Sequence, residues 1–191
     1  MNKTRKNKQM VYNDDQYNSN DGMLTTVWGP GMWHFMHTMS FNYPNNPSKD
    51  DINNYKNFII NLKNILPCGK CRDNFKILLK ENPITNKHMK NRNNFSRYIY
   101  DIHEMINKNL NKRSNLSYES VRNTYEHFRA RCALNKSQKN LLNKHDINAS
   151  EKGCTEPIYG EKAKCILHIV PQTKKGNTLQ IDEKCLNQRI N

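Results

Sequence analysis

The feature that most constrains the fold of this chain is the sequence Pro67-Cys68-Gly69-Lys70-Cys71, which separates two segments of helical periodicity. Apolar residues recur every three or four positions from 52 to 66, and again after the motif, where Phe75 and Leu78 share one face. A helix therefore leads into Cys68 and a second helix leaves it. Two cysteines at this spacing can close a small disulfide. The helix dipole and free N–H groups stabilise a thiolate at a helix N-terminus.

The C-x-x-C spacing is shared by zinc half-sites and thioredoxin-like motifs, and the surrounding sequence decides between them. The remaining cysteines are isolated from one another: Cys132, Cys154, Cys165 and Cys185. A zinc site needs a second ligand pair at matching spacing, which they do not provide. A thioredoxin-like motif needs a β-strand before the first cysteine, whereas a helix is predicted here. The sequence therefore favours an all-α redox protein, and no metal site is predicted.

Hydrophobic periodicity and the Gly, Pro and Asn residues between periodic segments predict five helices in the central part of the chain. In chain order, the first begins near Gly29-Pro30, the second after a cap at Ser48 or Asp50, and the third at about residue 69. The fourth begins before Phe95, and the fifth runs from Ser117 to about Arg131. The connections are short enough for neighbouring helices to pack antiparallel. The predicted fold is therefore all-α, a four-helix bundle with an appended short fifth helix.

The segments that flank the bundle differ from it in composition. Residues 1–22 are basic and poor in apolar groups, so burial cannot offset the entropy of ordering them, and a disordered tail is predicted. Residues 23–132 form the predicted helical domain, and residues 133–191 a C-terminal cysteine-containing extension. In the extension, Cys154 and Cys165 enclose turn residues and precede an alternating stretch. This pattern predicts a small β-hairpin closed by a Cys154–Cys165 disulfide.

The charge of the chain is strongly basic, with 31 Lys and Arg residues against 17 Asp and Glu residues and a formal net charge of +14. Such an excess of positive charge can bind an anionic partner, but the lysines are scattered and no nucleic-acid-binding motif accompanies them. A solvated basic surface is the favoured interpretation, and no nucleic-acid partner is expected. The sequence shows neither the apolar stretch of a signal peptide nor that of a transmembrane helix, so no membrane association is expected.

Three pairs of chemistry-bearing residues fall on neighbouring predicted helices. They are Trp33 with His37 on the first helix, Cys68 with Cys71 at the start of the third, and His103 with Asn107 on the fourth. Alone, a Trp–His pair is commonly part of a core and a His–Asn pair commonly lies on a helix surface. Together they suit a planar aromatic cofactor, with an indole for stacking, imidazoles and an amide for hydrogen bonds, and a nearby lysine for phosphate.

These residues, in this order and spacing, resemble the Erv/ALR family of FAD-linked sulfhydryl oxidases. The resemblance covers about residues 26–116 and rests on Trp28-Gly29, Trp33-x-x-x-His37, Tyr43-Pro44, Pro67-Cys68-x-x-Cys71 and His103-x-x-x-Asn107-x-x-Leu110-x-Lys112. It is similar in particular to members encoded by large nucleocytoplasmic DNA viruses, of the mimivirus kind. The tail from Gly153-Cys154 to Pro171 also resembles an extension found in some of them.

The resemblance implies a FAD-dependent thiol oxidase that makes disulfides in substrate proteins. A substrate thiolate would attack Cys68, Cys71 would pass two electrons to FAD, and these would reduce dioxygen to hydrogen peroxide. The implied FAD-binding residues are Gly29, Trp33, His37, Tyr43, His103, Asn107, Leu110 and Lys112. The implied partners are protein dithiols and dioxygen. Members of the family commonly form homodimers through their first two helices, and the apolar residues of 52–66 are compatible with that arrangement.

Two regions depart from the family pattern. Glu104 follows His103 where the family usually has Asn, so one contact on the adenine side is expected to differ. Residues 115–118 lack the cysteine that opens a disulfide between the fourth and fifth helices in the family, so that disulfide is expected to be absent. Cys132 and Cys185 are then left over. Either one of them relays electrons to the active pair, or both are free and inert.

A different class of function stays open, a non-enzymatic basic interaction module in which the C-x-x-C is half of a metal clip. Flavin absorbance that bleaches under dithiothreitol without air would identify the oxidase, whereas loss of the fold with a chelator would identify the clip. Because no signal peptide is found and the resemblance is to viral proteins, the expected location is the host cytoplasm, the viral factory or the virion.

Overall fold

The computed structural model describes residues 12–130, 154, 157–158, 162–176 and 180–185 of the 191-residue chain. Within these residues the helices are α1 (Asp14–Tyr17), α2 (Thr25–Phe41), α3 (Lys49–Ile65), α4 (Gly69–Glu81), α5 (Arg92–Asn109) and α6 (Tyr118–Glu126), with one 3₁₀ turn at Glu183–Cys185. None of the described residues belongs to a β-strand. The all-α prediction is confirmed, and α2 to α6 correspond to the five predicted helices.

Side-chain caps determine where several helices begin. The Ser48 hydroxyl accepts the Asp51 N–H at 3.1 Å, and the Asp51 carboxylate accepts the Ser48 N–H at 2.8 Å, which is a reciprocal capping box. Asn91 and Ser117 cap α5 and α6 with their own side-chain oxygens. Each such cap stabilises its helix by about 1 kcal/mol. Of the two caps predicted for α3, the structure therefore has Ser48 rather than Asp50.

Helix α2 begins at Thr25, one turn before the predicted start, and Pro30 lies inside it. The first turn is held by a residue two positions before it, because the Trp28 Nε1–H donates to the Met23 carbonyl at 3.0 Å. The Val27 N–H donates to the Leu24 carbonyl at 2.9 Å and continues this turn. Gly29-Pro30 is therefore an internal feature of the helix and not its start.

The main apolar core receives side chains from α2, α3, α4 and α5, as helical spacing of apolar residues predicts. Its buried members include Met36, Ile59, Leu62, Phe75, Leu78, Phe95, Ile99 and Ile102. Two residues of the connection between α4 and α5, Ile84 and Met89, complete it. Burying a side chain of this size contributes about 1.5–3 kcal/mol, so these stripes account for most of the attraction between the four helices.

Helix α6 packs against α2 and α5 through a second, smaller cluster of Phe41, Tyr118 and Tyr125. The Phe41 and Tyr125 rings stack with centroids 5.5 Å apart. The buried hydroxyls of Tyr118 and Ser96 lie 2.8 Å apart and share a hydrogen bond, which joins α6 to α5. The predicted fifth helix is thus present, and it ends at Glu126 rather than near residue 131.

The segment before α2 is more ordered than the sequence indicated. Residues 14–17 form one helical turn within the predicted disordered tail, and Asn13 and Gln16 cap it reciprocally. Further along, the Met23 N–H donates to the Pro67 carbonyl at 2.7 Å. This bond attaches the chain to the α3–α4 connection. The predicted domain boundaries at residues 22 and 132 stay predictions.

The predicted Cys154–Cys165 disulfide is wrong, because Cys154 is disulfide-bonded whereas Cys165 is a free, exposed thiol. Near Cys154, the Ile158 N–H donates to the Arg129 carbonyl at 2.9 Å and Pro157 bridges to Ala130. These contacts join the extension to the residues that follow α6. Cys132, which was expected to be free or a shuttle thiol, lies outside the described residues.

The predicted β-hairpin is also absent from residues 162–176, which contain no strand. Its apolar side chains are exposed: Ile166, Leu167, Ile169 and Val170. The alternating pattern alone does not make a strand here, because no second strand pairs with this segment among the described residues. None of the helices in the described part of the chain combines the length and apolar character that crossing a membrane requires.

Candidate active site

Cys68 and Cys71 form a disulfide at the start of α4, with their Cα atoms 5.1 Å apart. Pro67 disfavours helical backbone at the residue before it, and Leu66 accordingly adopts φ −54° and ψ 135°, which ends α3. Cys68 is the N-cap of α4, and its sulfur accepts the Cys71 N–H at 3.2 Å. Both cysteines are partly exposed. The predicted Cys68–Cys71 disulfide is therefore formed and lies at a helix N-terminus, and its redox role stays a prediction.

The chain that precedes α2 lies directly against the disulfide. Met23 is bonded on both sides, to the Pro67 carbonyl through its N–H and to the Trp28 indole through its carbonyl. Gly22 approaches so closely that an added Cβ would lie 3.0 Å from the Cys68 Cα and 3.0 Å from the Pro67 oxygen. Only a glycine fits there without displacing backbone, so this position is fixed by contact with the active pair.

Thr25, the first residue of α2, contacts the second sulfur of the pair. Its Oγ1 lies 3.5 Å from the Cys71 Sγ. Sequence analysis missed this residue, because a threonine near a helix start is ordinary and nothing in its neighbourhood resembles a motif. The backbone hydrogen bond between Met23 and Pro67 holds the start of α2 close to Cys71. A bond between main-chain atoms cannot be inferred from residue types.

Two imidazoles and an indole meet between α2 and α5, where the sequence predicted a cofactor site. The Trp33 indole and the His103 imidazole stack with centroids 3.9 Å apart and planes 7° apart. The His103 Nδ1 and the His37 Nε2 lie 2.9 Å apart, so one of them donates its proton to the other. His37 is buried, and its Nδ1 has no hydrogen-bond partner within the described structure. This atom is the clearest sign that the cluster serves a ligand.

Burial keeps both imidazoles uncharged. It lowers the pKa of His37 to about 3, and the nearby His103 and His34 act in the same direction. Burial also lowers the pKa of His103 to about 4, an effect that Glu104 opposes and Lys112 reinforces. Each neutral ring offers one N–H donor and one bare nitrogen acceptor. The cluster can therefore hydrogen-bond a neutral heteroaromatic ring without placing a charge beside it.

The end of α5 and the loop after it form an open, basic groove. Its lining includes Lys108, Lys112, Arg113 and one acidic side chain, Glu104. The loop is fixed to the helix, because the Lys112 N–H donates to the Asn107 carbonyl at 2.8 Å. Three cations against one carboxylate favour an anionic group in this groove.

Asn107 and Leu110 connect the imidazole cluster to the basic groove along α5. The Asn107 Nδ2 donates to the Glu104 Oε1 at 3.0 Å. Glu104, which stands where the family usually has Asn, is thus bonded to the amide that was predicted to contact the cofactor. Leu110 is the C-cap of α5, with 54% of its surface exposed. Of the predicted cofactor residues, Trp33, His37 and His103 thus form one cluster, and Asn107 and Lys112 are bonded to each other at the end of α5.

Tyr43 and Gly29 are placed differently. Tyr43 is fully buried, and its hydroxyl donates to the Met89 carbonyl at 2.9 Å while its ring packs against Phe95. Gly29 is buried within α2, and an added Cβ would meet only the Thr25 methyl at an ordinary 3.6 Å. The contacts of both residues are those of the helical core, and their role in holding a cofactor stays a prediction.

The comparisons with known proteins agree with this arrangement. A probable FAD-linked sulfhydryl oxidase of Acanthamoeba polyphaga mimivirus is 35% identical over 85 residues, which are 44% of this chain and 59% of that protein. The ERV1 FAD-linked sulfhydryl oxidase of Arabidopsis thaliana is 30% identical over 44% of this chain and 42% of its own length. An African swine fever virus FAD-linked sulfhydryl oxidase is 29% identical over 52% of this chain and 80% of its own.

The chain therefore spans about half the length of the first two of these relatives. Among solved structures, the yeast Erv1 core is similar with a TM-score of 0.49 and 20% identity, covering 64% of this chain and 96% of that one. The sequence model of the Erv1/Alr family matches residues 30–140, which is more than half of the chain. The match includes the disulfide, the imidazole cluster and the basic groove, and this chain belongs to the Erv1/Alr family.

Proposed function

We propose that this protein is a FAD-dependent thiol oxidase that forms disulfides in substrate proteins and reduces dioxygen to hydrogen peroxide. The observation that carries the proposal is the partly exposed Cys68–Cys71 disulfide at the N-terminus of α4. The membership of the chain in the Erv1/Alr family and its similarity to FAD-linked sulfhydryl oxidases support the same activity. The alternative of a metal clip is disfavoured, because sulfurs joined in a disulfide are not available as thiolate ligands.

The exchange of electrons with substrate needs only the two sulfurs. A substrate thiolate attacks the Cys68 sulfur, a mixed disulfide forms, and the electron pair of the broken bond stays on Cys71 as a thiolate. The second substrate thiolate then attacks the substrate sulfur and releases Cys68. The substrate leaves as a disulfide, and the pair has gained two electrons. The N-terminus of α4 stabilises the thiolates that this sequence creates.

The side chains between α2 and α5 fit FAD. The buried His37 Nδ1 lacks a protein partner, and an unpaired buried polar atom costs about 1–3 kcal/mol, which a ligand hydrogen bond would remove. An outer face of the Trp33–His103 stack suits a flat ring, and Lys112 with its neighbouring cations suits phosphate. When bound, FAD would accept the two electrons and transfer them to dioxygen.

The length of the site also favours a dinucleotide. Helix α2 runs without interruption from Thr25, beside Cys71, to Trp33 and His37. At about 1.5 Å per residue, Thr25 and Trp33 are separated by roughly 12 Å along the helix axis. The basic groove lies further along α5. A site of this length, with aromatic side chains and a basic groove, suits an extended ligand that carries two rings and phosphates.

The further assignments belong to the same proposal. Residues 23–132 carry the activity, with a tail before them and an extension at 133–191. Protein dithiols are the substrates, and a homodimer through α2 and α3 is supported by the exposed Phe35, which leaves 53% of its surface in solvent beside the α3 residue Phe58. The viral relatives support action in the host cytoplasm, the viral factory or the virion.

Absorption spectroscopy of the purified full-length chain tests this function. The protein should be yellow, and its flavin absorbance should bleach with dithiothreitol under anaerobic conditions and return with air. Hydrogen peroxide should accumulate as a protein dithiol is oxidised, and a Cys68→Ser/Cys71→Ser double variant should bind flavin without turnover. A colourless protein that consumes no oxygen in the presence of dithiols and added FAD would contradict the proposal.

A further inference from the structure

We propose that Thr25 is the hydrogen-bond donor that stabilises the Cys71 thiolate, and that the preceding residues Gly22 and Met23 hold it in place. The inference rests on the proposed thiol–disulfide exchange, since it concerns the sulfur that leaves in that reaction. The Thr25 Oγ1 lies 3.5 Å from the Cys71 Sγ. A sulfur within a disulfide carries no proton, so the hydroxyl is the donor. A thiolate accepts the same bond more strongly, because charge-assisted bonds are roughly twice as strong as neutral ones.

The Thr25 side chain has one group directed to each helix. Its Cγ2 methyl lies beside Gly29, one turn later in α2, and its Oγ1 faces the Cys71 sulfur. A β-branched side chain has few χ1 rotamers, so few other orientations are open to it. The N-cap of α2 is Leu24, which makes no side-chain capping bond. The hydroxyl of Thr25 is directed across to α4 instead.

The backbone around Thr25 is anchored to the active pair from the other side. The Met23 N–H donates to the Pro67 carbonyl at 2.7 Å, and Gly22 packs on the Cys68 backbone. The Trp28 indole closes this arrangement by donating to the Met23 carbonyl at 3.0 Å. The start of α2 therefore cannot shift away from α4 without breaking one of these two hydrogen bonds. Together they hold Thr25 beside Cys71.

The two sulfurs consequently have different donors. The Cys68 sulfur accepts the Cys71 N–H at 3.2 Å, whereas the Cys71 sulfur has the Thr25 hydroxyl. When a substrate thiolate bonds to Cys68, the S–S bond breaks and its electron pair goes to Cys71. The hydroxyl lowers the free energy of the charge that appears there. It thus makes Cys71 a better leaving group in the attack at Cys68 than it would be without the hydroxyl.

Titration of Cys71 tests the inference without using flavin or dioxygen. In a Cys68→Ser background, the rate of Cys71 alkylation is followed against pH by mass spectrometry of its peptide, which separates it from the other cysteines. Thr25→Val keeps the shape and removes the hydroxyl, and we expect it to raise the Cys71 pKa by about one unit, a tenfold loss of thiolate below the pKa. Thr25→Ser should restore most of the shift. Thr26→Val is the matched control and should leave the pKa unchanged.

A second measurement covers the case in which the serine background perturbs the loop. In the chain with both cysteines, the reduction potential of the pair is measured anaerobically in a glutathione buffer at a pH above the Cys71 pKa. Thr25→Val should make it more negative by about 30 mV, the equivalent of tenfold in the equilibrium constant. An unchanged pKa and an unchanged potential in well-folded Thr25→Val would overturn the inference. Failure of the proposed oxidase would appear separately, as absent flavin reduction in the unsubstituted chain.

Discussion

Trp33 of α2 and His103 of α5 stack face to face, with their ring centroids 3.9 Å apart and their planes inclined by 7°. The pair joins two helices that are distant in sequence, and aromatic pairs of this kind contribute about 0.5–1.5 kcal/mol beyond their buried area. The neutral state of His103 matters here, because a charged imidazolium in this buried position would have to be desolvated. The stack is therefore a structural contact and, in the proposed function, one wall of the cofactor site.

The two active cysteines should be separable by substitution. Cys68→Ser and Cys71→Ser should each abolish oxidation of a protein dithiol, because either change removes the disulfide, while flavin stays bound. Only Cys68→Ser should retain a long-wavelength absorbance band after reduction, since Cys71 is the sulfur assigned to the flavin. Spectra and dithiol assays of both variants check this. A band that survives in Cys71→Ser and is lost in Cys68→Ser would reverse the two roles.

Loss of the stack should lower flavin occupancy and thermal stability together. Trp33→Ala and His103→Ala each remove a predicted FAD contact, and a ligand at about 100 times its dissociation constant stabilises the folded state by roughly 2.7 kcal/mol. His88→Ala is a matched control, because that imidazole stacks on Tyr98 with centroids 4.5 Å apart and is not among the predicted FAD contacts. The flavin-to-protein ratio and the melting temperature of each variant test this prediction. Full occupancy in both test variants would remove these residues from the site.

Stability should fall as pH drops below neutrality. His37 and His103 have folded-state pKa values lowered to about 3 and about 4, so the unfolded chain binds protons near its ordinary pKa of 6.5 while the folded chain does not. The stabilisation from each neutral imidazole is complete above pH 6.5 and is lost progressively below it, by up to about 1.4 kcal/mol per pH unit.

Urea unfolding between pH 7 and pH 5, above the main carboxylate range, measures this slope. Burial also lowers the pKa of His34 and of His88, which adds smaller contributions of the same sign. A His37→Gln variant removes one of the two large contributions and should show a visibly shallower slope. Identical slopes in the variant and the parent chain would contradict the assignment to His37.

The cysteines of the extension should differ in reactivity. Cys165 and Cys185 are free thiols, whereas Cys154 is disulfide-bonded. Iodoacetamide applied to the native protein without reductant should therefore label Cys165 rapidly, Cys185 more slowly because it is less exposed, and Cys154 not at all. Peptide mass mapping reads the outcome. Labelling of Cys154 before reduction would show that its disulfide is not formed in solution.

The helices and their buried faces were predictable because each core stripe repeats at helical spacing. Phe95, Ile99 and Ile102 all lie in the core as the periodicity required. Cap residues such as Ser117 also act through neighbours within three positions. The Cys68–Cys71 disulfide was also predictable from the sequence, because the helix start and the cysteine spacing that define it are local. For these features the sequence contains all the interactions that decide the outcome.

Contacts made by the backbone were not predictable. Gly22 and Met23 lie against Pro67 and Cys68 through main-chain atoms, and no residue type announces such a contact. The pairing of Cys154 failed for a related reason. Loop entropy favours a nearby cysteine, but the neighbouring residues 157–158 are bonded to the residues that follow α6, and that tertiary contact sets the direction of the chain.

Tyr43 shows a third limit of sequence reasoning. Tyr-Pro after a helix fits the family pattern and also fits a buried tyrosine that bonds a distant carbonyl. The structure shows that the Tyr43 hydroxyl donates to the Met89 carbonyl, and the role of Tyr43 in holding a cofactor stays a prediction. The residue type alone does not reveal the Met89 contact.

Because α2 is continuous, it fixes the rotation about the helix axis between the Thr25–Cys71 contact and the Trp33–His103 stack. Thr25 touches Cys71 at one end, and Trp33 meets His103 eight residues later, about 2.2 turns along the helix. Inserting one residue at Gly31, where a side chain would meet nothing within 4 Å, would rotate one end against the other by about 100°. No adjustment of side chains can absorb such a rotation, so only one contact would survive. The number of residues between Thr25 and Trp33 is thus under tighter constraint than the identity of most of them.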